Sequence, residues 1–138
     1  MIVTPAAPNH HGEWLALRVA LWGEEAGDPA DLPRGDGNFV ALVDGQVIGF
    51  AEATIRRDYV NGCDTSPVLF LEGLFVDPVH RRQGMAGALV AAVANWGRAQ
   101  GCSEFASDAE LTNTDSHAMH RALGFDETER VVYFRREL

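Results

Sequence analysis

Apolar side chains recur along the chain with two periods, and each period predicts a different kind of element. Trp14, Leu17 and Leu21 stand at i, i+3 and i+7 behind Asn9, which predicts a helix over residues 9–22 with one apolar stripe and a capping side chain at its start. Residues 23–37 lose that period. They are rich in Gly, Pro and acids, including Glu24, Glu25, Asp28, Asp31 and Asp36, and read as a loop or broken helix. Two apolar runs, 39–43 and 46–55, flank Asp44-Gly45, a pair that supplies the positive φ of a tight turn and predicts a hairpin. A polar loop over 58–67 leads to a third run, 68–76, interrupted at Glu72-Gly73 as at a bulge. Leu89, Val93 and Trp96 mark a helix from about Gly84 to Gln100 that Gly101 closes. Residues 102–107 read as a short strand ending at Asp108. Asn113 or Thr114 then caps a helix through His117 and Leu123, Gly124 ends it, and Val131-Val132-Tyr133-Phe134 reads as a last strand.

The expected order is helix, hairpin, strand, helix, strand, helix, strand. A strand–helix–strand unit over 68–107 demands a parallel crossover, whereas the hairpin is antiparallel, so the fold class is α/β or α+β with a mixed sheet and helices packed on it. At 138 residues and 46% hydrophobic, the chain reads as one domain, residues 1–138, with its own core.

Charge narrows the partners. Eleven basic against twenty acidic side chains give a formal −9, which disfavours nucleic acid or an anionic membrane and favours a cationic partner. Cys63 and Cys102 are too few for a disulfide framework and lack metal-site spacing, and His117 and His120 have no third ligand, so no metal is expected. Residues 1–5 lack a basic region and an apolar signal core, and no apolar run approaches ~18 residues. A protein of the reducing cytoplasm is the expectation.

The chemistry centres on residues 70–90. An apolar strand, a proline turn and the basic loop Arg81-Arg82-Gln83-Gly84-Met85-Ala86 lead into a helix, so backbone N–H groups at the helix start converge on the loop, an arrangement that binds phosphate. No Gly-Lys-Ser/Thr follows, and only one glycine of a dinucleotide fingerprint is present. The pattern R-x-x-G-x-A resembles the acetyl-CoA loop of the GNAT superfamily of N-acetyltransferases. The likeness then widens. Trp22, the run 55–64 with Tyr59, Phe70-Leu71-Glu72-Gly73, Ala106-Ser107-Asp108, Asn113 and the run 124–130 are similar to an aminoglycoside 6′-N-acetyltransferase subfamily.

This resemblance implies a mixed, mostly antiparallel sheet, splayed at the bulge, with helices on both faces. It also implies transfer of acetyl from acetyl-CoA to the 6′-amino group of an aminoglycoside antibiotic, by direct attack in a ternary complex. Leu74, Phe75 and Val76 would offer backbone groups to the pantetheine arm, Arg81, Arg82, Gln83, Gly84, Met85 and Ala86 would hold the pyrophosphate, and Asn113 would touch the cofactor. Trp22, Tyr59, Glu72, Asp108 and Glu129 would line the aminoglycoside site, Glu129 across the interface of a homodimer.

The reaction explains these residue types. A primary ammonium, with a pKa near that of lysine at about 10.4, must lose a proton before it attacks a thioester. Glu72 and Asp108, at the ends of neighbouring strands, would attract the cation and accept that proton directly or through water, and the Val76 N–H would meet the developing oxyanion. Many members of the superfamily carry a tyrosine in the last helix to protonate the leaving thiolate; here that frame holds His120, leaving His120, Tyr59 and water as candidates for the acid. The resemblance would make residues 23–37 part of the substrate wall, and they are shorter than their counterpart in the subfamily, which bears on the range of substrates. Two other readings compete: acetylation of a polyamine, peptide or protein amine, and a noncatalytic acyl-CoA-binding domain that would bind without turnover.

Overall fold

A computed structural model describes all residues, Met1–Leu138. Five strands form one sheet in the order β1 (Ile2–Pro5), β2 (Asn38–Val43), β3 (Gln46–Arg56), β4 (Val68–Val76) and β5 (Phe105–Ser107). The first four pair antiparallel, and β5 is parallel to β4. Asp44 and Gly45, both at positive φ, close the β2–β3 hairpin as expected. The unforeseen β1 is a short edge strand whose last residue is proline, which an edge tolerates because no N–H is needed on the outer side.

Helices cover both faces. The α1 helix (His11–Trp22) packs Trp14 onto Val40, Val47 and Phe50. The α2 helix (Met85–Ala99) sets Met85, Leu89 and Val93 against Ile48, Ala51, Leu69, Leu71 and Val76 on the other face. A Cβ at Gly97 would stand 2.5 Å from a methyl of Leu69, so the bare glycine lets α2 lie close to the sheet. The α3 helix (Thr114–Ala122) follows β5 and precedes Phe125, which packs at the rim of the α2-side core. No helix is long and apolar enough to cross a membrane.

Two expectations fail. Asn9 does not cap α1; it lies in a 3-10 turn, Pro8–His10, and His10 takes the cap position without a side-chain bond. Val131–Phe134 do not form a strand: the sheet ends at β5, and these side chains are exposed, Phe134 to 92%. Their β-propensity is real, but a strand exists only in a ladder, and the β5 edge within one chain offers three residues.

Beneath α1 lies the one strongly buried ion pair. Glu52 on β3, 3% exposed, takes two bonds of 2.9 Å from Arg18 and one of 3.0 Å from the Trp14 indole N–H. Burial raises its carboxyl above the ordinary range, while Arg18 and Trp14 pull it back. Glu52→Ala would strand the Arg18 guanidinium in the core and is expected to cost about 3–5 kcal/mol in urea unfolding. Glu52→Gln keeps an acceptor for Trp14 and should cost less; equal, small losses in both variants would show that the pair does not tie α1 to the sheet.

Candidate active site at the split between two strands

The ladder between β3 and β4 shifts register where Glu52 faces Gly73 and Ala53 faces Leu71, so Glu72 is the extra, bulged residue. On its other side β4 pairs with β5 only from Leu69 to Leu71. From Glu72 to Val76, therefore, β4 has one neighbour and an open edge. The Asp77 N–H donates to the Ile48 carbonyl across to β3 at 2.7 Å, and strand alternation turns the N–H groups of Leu74 and Val76 toward that open edge. Phe75 lies between them and stacks on Phe50.

The amides beyond β4 continue this donor row. Asp77 caps the turn Pro78–His80, Arg82 takes φ 62°, and Gly84 takes φ 80° as the residue before α2. None of the N–H groups from Arg82 through Gly87 has a protein acceptor; the first helical bond runs from Ala88 to Gly84. Six unpaired amides at a helix start, with open space around Gly84, suit the oxygens of a pyrophosphate. Arg82 and Gln83 are exposed beside them, Met85 is buried and Ala86 half-buried, so these last two can contribute only backbone. Arg81 is partly committed: its Nε donates to the Val76 carbonyl at 2.8 Å and its guanidinium lies 5.2 Å from the Phe75 ring centre.

The sequence-predicted acids meet on the opposite, α1 face. Glu72 accepts from Thr54 Oγ1 at 2.7 Å and from Arg56 at 2.8 and 3.1 Å, which fixes its carboxylate above β3. Register pairs Leu71 with Ser107, so Asp108 follows in step with Glu72 on the next strand, exposed and without a hydrogen-bond partner. Trp22 covers Gly73 so closely that a Cβ there would run into the indole, and it joins Glu72 around an open cavity of about 480 Å³.

That cavity is also lined by Arg18, which was not anticipated, and by Glu25 and Asp31 of the 23–37 segment, expected in the substrate wall as a segment but not singled out as residues. Arg18 carried a signal: it falls four residues after Trp14 on the apolar side of α1, where a cation needs a buried partner. Glu25 and Asp31 sit in the acid-rich segment, whose 3-10 turns Glu24–Gly27 and Pro29–Asp31 no hydrophobic period could place.

Tyr59 and Glu129 stand apart from this cavity. Tyr59 is 76% exposed on the loop after β3, and Glu104 ties that loop down by accepting from the Asp64 and Thr65 N–H groups at 2.9 and 2.7 Å and from the Thr65 hydroxyl. The Thr65 hydroxyl and these amides hold the Glu104 carboxyl below its usual range. Thr128 touches Gly62 of the same loop, which leaves Glu129 near it but exposed. Asn113 caps α3 by accepting from the Ser116 N–H at 3.1 Å, so its side-chain oxygen serves the fold.

His120 lies under the split on the α2 side. Its Nδ1–H donates to the Ser116 carbonyl at 2.7 Å, and Nε2 lies 2.7 Å from the Ser107 hydroxyl. His117 instead reaches the Glu110 carbonyl at 2.9 Å, and no group of three His, Cys, Asp or Glu side chains could hold a metal ion.

This geometry has close counterparts. The chain is 50% identical to aminoglycoside N(6′)-acetyltransferase type 1 of Salmonella typhimurium over 93% of each chain, and 47% identical to the protein of that name from Serratia marcescens over 91% of each. Its fold superposes with a TM-score of 0.89 on AAC(6′)-Iy in complex with the bisubstrate analogue CoA-S-monomethyl-acetylneamine, at 46% identity over 99% of this chain and 98% of that one. AAC(6′)-Ih from Acinetobacter baumannii superposes with a TM-score of 0.91, again at 46% identity, over 99% and 98%. A sheet split at a bulge, an amide cradle at the α2 start, and a match over residues 6–125 to the model of the acetyltransferase (GNAT) family together make this chain a member of that family.

Proposed function

We propose that the protein is an aminoglycoside 6′-N-acetyltransferase that uses acetyl-CoA. The observation that carries this reading is the division of the split sheet. One face ends in six unpaired amides suited to a pyrophosphate, and the other presents Glu72, Asp108, Glu25 and Asp31 to a cation. The names of relatives at 50% and 47% identity supply the acceptor.

Each residue then has a task. The amides of Arg82–Gly87 hold the pyrophosphate, and the open edge at Leu74 and Val76 receives the pantetheine amides as a further strand would. The Val76 N–H donates to the thioester oxygen as it gains charge, an interaction strongest in the transition state. Glu72 and Asp108 bind the ammonium and pass one proton to water, leaving a free amine to attack. Arg56 shares the Glu72 carboxylate, so it aims that group while lowering its net charge. Trp22 forms an apolar wall of the cavity against sugar rings, and Tyr59, outside it, meets rings that extend past the cavity.

The acetylated position is the direct test. With acetyl-CoA and kanamycin, the product is expected to be the 6′-amide by NMR, and an analogue with a 6′-hydroxyl should not be acetylated; acetylation at another nitrogen would refute the reading. A charge-assisted hydrogen bond is worth roughly 1.5–3 kcal/mol, so Glu72→Gln and Asp108→Asn should each lose about ten- to a hundredfold in kcat/KM for the antibiotic. Asp108→Asn should act mainly through KM, and Glu72→Gln through both parameters. Unaltered kcat/KM in both would remove these acids from the site.

The protein is further proposed to act as a cytoplasmic homodimer that protects its host from these antibiotics. Exposed Val131, Val132, Tyr133 and Phe134 form an apolar, unpaired segment with strand propensity, and the short β5 edge lies open. Sedimentation at micromolar concentration should show a dimer, and removal of residues 131–138 should give a monomer. A full-length monomer with full activity would contradict the dimer.

A further inference from the structure

The buried side of the split contains a pair that the acceptor chemistry does not use. Ser107 is the last residue of β5, and its side chain shares a face with its partner Leu71, which belongs to the α2-side core. Phe105, two residues earlier on that face, meets Phe125, and Phe125 in turn meets His120 edge-on at 5.4 Å. His120 is therefore held from behind by an aromatic ring, from one side by the Ser116 carbonyl, and at Nε2 by the Ser107 hydroxyl at 2.7 Å. The hydroxyl has a second, longer contact of 3.5 Å to the Leu71 carbonyl, the last group of the β4–β5 ladder before the strands part.

Faces decide what this pair meets. Glu72 and Asp108 lie on the α1 face, and the amide cradle and the Leu74 and Val76 side chains lie on the α2 side. A cofactor held by the α2-side amides would keep its sulfur on that side while the amine adds to the carbonyl carbon from the α1 face. The Ser107 hydroxyl stands on that side, at the last β4–β5 pair before the strands part.

Resting on the acetyltransferase reading above, we propose that Ser107 protonates the departing CoA sulfur and that His120 resupplies Ser107. As the carbon–sulfur bond breaks, its electron pair goes to sulfur, which takes the Ser107 hydroxyl proton. The Ser107 oxygen takes the Nε2 proton of the His120 imidazolium, leaving neutral His120 with Nδ1–H still on the Ser116 carbonyl. Solvent then reprotonates His120. The nitrogen loses its second proton from the tetrahedral adduct to water through Glu72 or Asp108, so the ammonium gives up two, the thiol keeps one and the reaction as a whole releases one proton. Both charge states of His120 are satisfied in place: the imidazolium donates from both nitrogens, and the neutral ring accepts the Ser107 hydroxyl proton at Nε2. Ser107 is catalytic in this scheme, and His120 acts through it.

Single-turnover acetyl transfer, which reads the chemical step apart from product release, tests the relay. Ser107→Ala should slow this step on the order of ten- to a hundredfold, below the usual contribution of general acid catalysis because water can enter the gap. Both KM values should stay within about twofold, a split expected when an interaction exists only in the transition state. Ser107→Thr should restore most of the rate by returning a hydroxyl. His120→Phe, which keeps an aromatic ring beside Phe125, should lose as much as Ser107→Ala, and the double variant should lose no more than either alone. A wild-type chemical rate in Ser107→Ala, no rescue by threonine, or multiplying losses in the double variant would overturn the relay. A wild-type enzyme that fails to acetylate kanamycin would instead overturn the function on which it rests.

Discussion

The single extra residue at Glu72 is the constraint on which the site depends. A regular strand would pair Glu72 with β3 and carry the β4–β5 ladder onward, leaving neither an open edge nor a gap. The bulge instead lets Glu72 reach Thr54 and Arg56 on one face while the N–H groups of Leu74 and Val76 turn to an unpaired edge. Gly73, next to it, admits the Trp22 indole against the backbone. One irregularity thus separates two chemically different surfaces, an amide-rich one that suits phosphate and thioester oxygens and a carboxylate-rich one that suits ammonium groups.

The rest of the sheet holds this gap in place. The Glu52–Arg18–Trp14 network fastens α1 to β3 directly opposite Gly73, so the helix that delivers Trp22 is tied to the strand that borders the bulge. The bare glycine at position 97 brings α2 against Leu69, and Leu89 and Val93 seat its N-terminal amides below the open edge. Burying a carboxylate and a guanidinium costs more than burying methyl groups, and a fixed geometry is what such a pair adds. Glu104 does the corresponding work for the Tyr59 loop with backbone amides in place of a cation.

Local signals made much of this legible in the sequence. Asp44-Gly45 specifies its turn by backbone sterics, Leu89, Val93 and Trp96 specify a helix face, and Glu72-Gly73 breaks an apolar run at the place where the ladder shifts. The acids at 72 and 108 could be set side by side because a parallel crossover leaves few registers. What escaped was set by distant partners. Arg18 and Glu52 are 34 positions apart and reveal each other only once α1 lies on the sheet. Ser107 has no local feature until α3 folds back to bring His120 to it. The segment 131–134 misled in the other direction, since its composition favours a strand while the chain by itself offers no ladder to join.

The central claim is that the split sends the two substrates to opposite faces, and amide NMR measures it directly. Titrating the protein with CoA should shift the N–H resonances of Arg82–Gly87, Leu74 and Val76 and leave those of Ala26, Asp31 and Tyr59 in place. Kanamycin should do the reverse, with Trp22 and Asp108 also shifting. Perturbation of the Ala26 and Asp31 amides by CoA alone, with Arg82–Gly87 unmoved, would contradict the division of faces.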